Sequence, residues 1–462
     1  MTPKRFLVVL GHSLHVRNFV ASGCLDQLAA RGHELTVLMP GELLAEVRRV
    51  GRTRLADLEP LEPYAAGRSA GWRRRRFRIA SFVQRSGFKT YRHKVRVGAA
   101  GSWSYALEAR AYARLARRRD LEALARRVEM RMAPRRAALD LIDRVRPHLV
   151  FAPTLIHDGS EVEVLKAARA RGVPITAFAA TWDTLTSKGF FLIPPDRLLV
   201  WGEESRRHAA EHHGFTADRV LVTGAPHLDV YGADAPVEPR ARFLAARGID
   251  PAQRVILFAG TTISYWEDEP RQLRALSDAI QGGELKDCVV WYRPHPRRAY
   301  RDVQAIGELP GVFVDDQVVR QKTEGVSSYS SSPDDLAHYR NLMSAVEAVV
   351  AAFSTMILEA ALLGKPSLVV AFGAADGAPG RLFPHAEYEH SIELLATPGV
   401  LVCHGLDELK QGIQRVFAGD FVELEPVLRE CAARMAHNRD GGARARIVET
   451  LERLADDGGD RR

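Results

Sequence analysis

Apolar residues in this chain fall into short β-branched runs separated by longer amphipathic stretches, the alternation expected of a parallel α/β fold. The opening reads strand, loop, helix, strand: Phe6–Leu10, Gly11-His12-Ser13-Leu14-His15, Arg17–Arg31 and Glu34–Met39. Arg31-Gly32-His33 closes the helix, with glycine suited to the left-handed position after its last turn. Further strands are predicted at Leu149–Ala152, Ile175–Ala179, Arg197–Trp201 and Val220–Thr223. Helices are predicted over Gly159–Arg171 and, following the strand that ends at Trp201, through His212. The Ala/Pro/Glu-rich stretch Gly232–Pro239 reads as a linker, after which the alternation begins afresh. Its strands are Val255–Ala259, Val289–Tyr292, Val312–Val314, Val346–Ala351 and Ser367–Ala371, with a helix around Pro270–Gln281. Gly325–Asp335, with its serine run, reads as a polar loop, and Gly442–Leu454 as a final helix before a frayed tail.

Length fits this division, since 462 residues exceed one ordinary core. The predicted units are Rossmann-like domains at 1–235 and 240–440, then a helix and tail at 441–462. A composition of 46% apolar and 26% charged residues excludes a disordered chain. The apolar runs are strand-sized, too short to span a bilayer, and Phe6–Leu10 is too short for a secretion signal. Cys24, Cys288, Cys403 and Cys431 are scattered without C-x-x-C spacing, and His212-His213 lacks a partner at metal spacing. Neither a disulfide framework nor a protein-held metal is expected, and the chain reads as cytoplasmic.

Charge changes the picture in one place. Residues 71–136 hold 20 Lys/Arg against 4 Asp/Glu, so the rest of the chain is net negative although the whole is +8. Trp72, Phe77, Phe82, Phe88 and Trp103 are interleaved, and Leu107–Arg136 reads as an Ala/Arg-rich helix. This basic insertion, about 60–138, suits an anionic membrane, an acidic chain or nucleic acid. A solvated helical face is the plainer reading.

Two motifs carry the chemistry. Trp291-Tyr292-Arg293-Pro294-His295-Pro296 and Phe353-Ser354-Thr355-Met356-Ile357-Leu358-Glu359, with Gly364-Lys365-Pro366, each follow a strand. Ligands of open parallel sheets bind at the carboxyl ends of strands. The Arg293 fork matches phosphate oxygens, with His295 beside it. Ser354 and Thr355 would donate to a diphosphate at a helix start, although N-capping needs the same residues. Gly260-Thr261-Thr262 follows another strand and would approach the phosphates from the other side.

The chain resembles bacterial GT-B glycosyltransferases of surface-polysaccharide type, with features of CDP-glycerol glycerophosphotransferases and the UDP-N-acetylglucosamine 2-epimerase fold. The likeness rests on the opening Gly11-His12 to Val37 segment, on Thr181-Trp182-Asp183-Thr184-Leu185-Thr186-Ser187-Lys188-Gly189, on Val200-Trp201-Gly202 to Gly224-Ala225-Pro226, and on the two motifs above. It implies two Rossmann-like domains facing a cleft, with the donor in the second. Glu359 would then reach a ribose hydroxyl. His12 would face the cleft as general base, with His15 as a rival on the acceptor side. Asp183 is the other candidate base, with Lys188 near enough to tune it, although a turn carboxylate explains it equally. Asp158 and Glu161 are a third option and read better as a helix start.

The implied function is metal-independent, inverting transfer of a sugar to a surface-glycan or lipid-linked acceptor, with no tightly bound cofactor. The co-substrate would be a nucleotide-diphosphate or CMP sugar, and the protein would work peripherally at the inner face of a membrane, docked through residues 71–136. Polyol-phosphate transfer and UDP-sugar 2-epimerisation are the neighbouring readings. An Arg-rich nucleic-acid- or membrane-binding protein is the reading of another class, and no specific nucleic acid is expected.

Overall fold

The computed structural model describes residues 2–50, 57–61, 119–154, 156, 159, 161–261, 269–295, 300–323, 332–352, 354–373 and 388–459, together with 103, 107, 110 and 114. The chain forms two compact units. Met1–His227, Glu387–His390 and Gly442–Arg462 make the first, and Leu228–Ala386 with Ser391–Gly441 makes the second. The boundary falls at His227/Leu228, ahead of the predicted one. Residues 442–462 belong to the first unit.

In the first unit, β1 (Arg5–Val9), β2 (Glu34–Met39), β3 (Asp57–Pro60), β4 (Leu149–Thr154), β5 (Ile175–Ala179), β6 (Arg197–Val200) and β7 (Val220–Val222) pair in the order β3-β2-β1-β4-β5-β6-β7. Every pairing is parallel. Both faces are covered, so β4 and β5 are buried at every position. Phe19 packs edge-on against Phe151 and Phe178, each ring centroid 5.1 Å away.

The single helix predicted over Arg17–Arg31 is three pieces: Ser13–His15, a π-helical turn Val16–Ala21, and Cys24–Ala30. Gly23 divides them at φ +76°, a conformation that glycine adopts without Cβ strain. The helix Ala443–Gly459 packs on Cys24–Ala30. It is fastened by Glu452, whose carboxylate lies 2.8 Å from His33 Nε2 and accepts from Arg31 Nη1 at 2.6 Å.

Of the predicted helix over Leu107–Arg136, the described stretch from 119 onward is helix Arg119–Arg131, which ends before Pro134; a new helix, Arg136–Val145, follows. The residue ahead of a proline is pushed out of the helical region, so the stop is local chemistry. The remainder of the predicted insertion lies outside the described residues, apart from 103, 107, 110 and 114, which are helical and exposed.

In the second unit, β8 (Arg254–Ala259), β9 (Cys288–Arg293), β10 (Val312–Val314), β11 (Ala348–Ala351), β12 (Ser367–Val370) and β13 (Val400–Cys403) pair in the order β10-β9-β8-β11-β12-β13. All are parallel. The core joins Ile256, Phe258, Val290, Tyr292, Val350 and Leu368 to Leu273 and Leu276 of helix Glu269–Gln281. The predicted polar loop runs too far: a helix starts at Pro333. Ser332 accepts from the Asp335 amide while the Asp335 carboxylate accepts from the Ser332 amide, a reciprocal cap.

Candidate functional site

β9, β8 and β11 are adjacent, and their carboxyl ends carry Arg293–His295, Gly260–Thr261 and Ser354–Thr355. The expected donor residues of the second unit therefore gather at one edge. The chain is drawn tight there: the Gly260 amide donates to Arg293 O at 2.8 Å. A Cβ on Gly260 would lie 2.7 Å from Glu269 Oε1 and 3.1 Å from His295 N. Only glycine fits. Glu269, which the sequence reading passed over, is buried and accepts from the Thr261 amide at 2.9 Å and from the Tyr292 hydroxyl.

Arg293 is the main correction. It was expected to offer its fork to phosphate, but the guanidinium is 7% exposed and already engaged. Nη1 donates to Asp315 Oδ2 at 2.8 Å and Nη2 to Gln317 Oε1 at 2.7 Å, while the group lies 4.0 Å over the Tyr339 ring. Burial alone would raise the Asp315 pKa, but Arg293 and His338 outweigh it and hold the carboxyl well below the usual range. Asp315 also accepts from the Trp291 indole at 3.1 Å and the Gln317 amide at 2.9 Å. Asp315, Asp316 and His338 bring ligand-type atoms within 4.8 Å of one another, but that cluster already holds a cation, the Arg293 guanidinium. Arg293 thus stiffens the end of β9 and thereby sets His295, which is half-buried. Its partners lie 22 and 24 residues on, a pairing that only folding reveals.

Ser354 Oγ accepts from the Met356 amide at 3.2 Å, so the capping role is real. Thr355 is the residue before helix Met356–Leu362 and makes no side-chain cap. Glu359 is 5% exposed and accepts from the Tyr231 hydroxyl at 2.6 Å. Thr262 lies outside the described residues, as does Asp158. Glu161 sits at its helix start and accepts from Thr154 Oγ1 at 2.5 Å.

In the first unit, His12 stands just past the carboxyl end of β1 and caps the short helix, its Nδ1 accepting from the Leu14 amide at 3.1 Å. That bond fixes the neutral tautomer with its proton on Nε2. His15 is buried, its ring 6.2 Å from that of His12. Asp183 follows β5 and is held on both oxygens: Thr181 Oγ1 donates to Oδ1 at 2.7 Å and Ser187 Oγ to Oδ2 at 2.6 Å. Lys188 Nζ pairs with Oδ2 at 3.1 Å, as its spacing predicted. The π-helical turn Thr184–Lys188 brings these groups together. Thr186 Oγ1 on the same turn is 2.7 Å from Nδ1 of His390, a residue some two hundred positions away that local spacing cannot reach.

The family of CDP-glycerol:poly(glycerophosphate) glycerophosphotransferases matches residues 194–453. None of the curated proteins compared with the chain matches it. The solved UDP-GlcNAc 2-epimerase from Neisseria meningitidis bound to UDP-GlcNAc is similar over 97% of this chain and 100% of its own, at 12% identity and a TM-score of 0.53. A glycosyltransferase from Rickettsia africae is similar over 99% of each chain, at 10% identity and TM-score 0.52. The calicheamicin glycosyltransferase CalG4 is similar over 98% of each chain, at 16% identity and TM-score 0.52. At these identities the likeness carries the fold alone, the GT-B pairing of two Rossmann-like domains. The family match spans more than half of the sequence, and the chain belongs to the CDP-glycerol:poly(glycerophosphate) glycerophosphotransferase family.

Proposed function

We propose that the protein transfers a sugar from a nucleotide-activated donor to a surface-glycan or lipid-linked acceptor, reached at the inner face of a membrane. The observation that carries this reading is the convergence of Gly260–Thr261, Arg293–His295 and Ser354–Thr355 at three neighbouring strand ends. The diphosphate contacts come from His295, Ser354, Thr355, Thr261 and the backbone beside Gly260, with Arg293 as their support. Thr262 completes this set in sequence. Glu359 receives the ribose, exchanging the Tyr231 hydroxyl for a ribose hydroxyl.

His12 is the general base of the proposal. Its ring gives up the Leu14 amide on binding acceptor and takes the acceptor proton on the nitrogen so freed. Asp183, saturated by Thr181, Ser187 and Lys188, holds the turn that carries acceptor-side groups, Lys188 among them. His15 backs the His12 ring. In the reaction the acceptor oxygen bonds to the anomeric carbon, the bond from that carbon to the diphosphate breaks, and the acceptor proton passes to His12. The nucleoside diphosphate departs.

Family membership favours one second reading, polyol-phosphate transfer. There the acceptor oxygen attacks the phosphorus next to the polyol, and a nucleoside monophosphate departs. The two differ in what is released. The test incubates the protein with CDP-glycerol or with UDP-, GDP-, dTDP- and CMP-sugars, plus a lipid-linked glycan, and separates the nucleotides by chromatography. A nucleoside diphosphate from a UDP-, GDP- or dTDP-sugar, or CMP from a CMP-sugar, supports sugar transfer. CMP from CDP-glycerol establishes the second reading instead. An epimerised UDP-sugar with no released nucleotide refutes both.

A further inference from the structure

A cavity of about 310 Å³ opens at the amino ends of β5, β6 and β7, the opposite end of β5 from Asp183. Thr176, Arg197 and Arg219 line it from the strand starts, Val173 from the turn ahead of β5, and Leu454 and Asp457 from helix Ala443–Gly459. All of these residues belong to the first unit. Sites for small molecules span about 300–1,000 Å³, so this one suits a ligand at the small end of that range.

The charges of the wall are not cancelled. Asp196, at its edge, is already taken: it accepts from Arg169 Nη1 at 2.6 Å and from the Ile175 amide at 2.8 Å. Arg197 and Arg219 are held by backbone instead. Arg197 Nη1 donates to Asp196 O at 3.0 Å, Arg219 Nε to the same oxygen at 3.3 Å, and Arg219 Nη2 to Pro195 O. Carbonyls orient a guanidinium without neutralising it, and each group keeps N–H donors to spare. Among the described residues neither arginine forms an ion pair, and Asp218 senses both only at longer range. Thr176 points to a ligand independently. It pairs in register with Arg197, so both side chains rise from one face of the sheet. It is 2% exposed, yet its hydroxyl has no hydrogen-bond partner among the described residues. A buried hydroxyl left unpaired is costly, and a polar ligand in the cavity would relieve it.

We propose that this cavity is a second binding site, taking a sugar monophosphate. The phosphate lies on Arg197 and Arg219, whose planar forks match its oxygens. Sugar hydroxyls meet Thr176 and the Asp457 carboxylate, which only accepts, while Val173 and Leu454 cover the C–H face of the ring. A nucleotide fits less well, because none of the lining residues is an aromatic on which a base could stack. A ligand held a full strand away from Asp183 takes no part in the transfer; it ties helix Ala443–Gly459 to the sheet. The site does not depend on the transfer chemistry proposed above.

The experiment is isothermal titration of the full chain with glucose 1-phosphate, glucose 6-phosphate, glucose and inorganic phosphate. Binding is expected for at least one sugar phosphate, with glucose and inorganic phosphate each about tenfold weaker or more. Arg197→Gln should weaken the sugar phosphate about tenfold or more. Thr176→Val should weaken it roughly two- to tenfold, with a melting temperature no lower than wild type, since it removes only an unpaired hydroxyl. The valine variant carries the test alone should Arg197→Gln fold poorly. His295→Ala should leave the affinity unchanged. Binding lost in His295→Ala but kept in Arg197→Gln places the probe among the donor residues and overturns the proposal. No binding of either sugar phosphate to wild type also overturns it, as does inorganic phosphate binding equally well or wild-type affinity in Thr176→Val.

Discussion

Replacing Arg293 with methionine separates a structural arginine from a phosphate ligand. The change removes the guanidinium that neutralises Asp315, a carboxylate with no exposed surface. Removing one partner of a buried pair typically costs about 3–5 kcal/mol. The remaining donors place this case toward the lower end: His338 Nε2 at 3.2 Å, the Trp291 indole, and the Gln317 and Val318 amides. For a unit of this size each kcal/mol moves the melting temperature by about 2–4 °C, so a fall of about 6–12 °C is expected. Asp315→Asn retains an oxygen to accept the Gln317 amide while removing the charge. The double variant Arg293→Met/Asp315→Asn should therefore recover a substantial part of that loss. Differential scanning fluorimetry and urea titration of wild type, both single variants and the double variant measure the coupling directly. Should Arg293→Met melt within about 1 °C of wild type yet lose nucleotide-induced stabilisation, the reasoning fails and the guanidinium contacts the donor.

Other consequences can be checked alongside. Burial, with His212 and Arg207 adding to it, lowers the His208 pKa to about 3; burial likewise takes His213 to about 3 and, with Arg17, holds His227 well below its usual range. Unfolding restores values near 6.5, so the unfolded chain binds the extra protons, and stability falls as pH drops from about 6.5 toward 3. The slope approaches about 1.4 kcal/mol per pH unit for each ring; urea midpoints that stay flat between pH 7.5 and 5 would contradict this, and His208→Gln should flatten the curve. Gly260→Ala forces a Cβ against Glu269 and the His295 amide and should cost about 1–3 kcal/mol while weakening nucleotide binding, which calorimetry would show unchanged if the close approach did not matter. Tyr231→Phe deprives the buried Glu359 carboxylate of a donor and should cost about 1.5–3 kcal/mol; a wild-type urea midpoint would show that this bond is dispensable.

The strands were legible because parallel sheets buried on both faces demand near-continuous apolar runs, and β4, β5 and β9 supply them over most of their length. β3 was not legible: it reads Asp-Leu-Glu-Pro on an edge of its sheet, where solvent tolerates polar residues and proline. β13, four apolar residues after Gly399, was missed as well, because so short a run carries too little pattern to separate a strand from a buried turn. In the candidate site, position was readable but partnership was not. Arg293 at a strand end looks the same whether its fork meets a phosphate or Asp315, and Glu269 reads as an ordinary acid at a helix start. Asp183 and Lys188 were an exception, because a single helical turn joins them.

The assignment of helix Ala443–Gly459 to the first unit bears on how the protein is made. Ribosomes add roughly 5–20 residues per second, so Met1–His227 waits roughly 10–40 s before that helix exists. Until then the helix Cys24–Ala30 lacks the cover that helix Ala443–Gly459 later provides, and Arg31 and His33 lack Glu452. The second unit has its whole sequence by Gly441 and can finish first. The half synthesised first is thus closed last, and a nascent chain stalled before residue 443 leaves it open to chaperones and proteases.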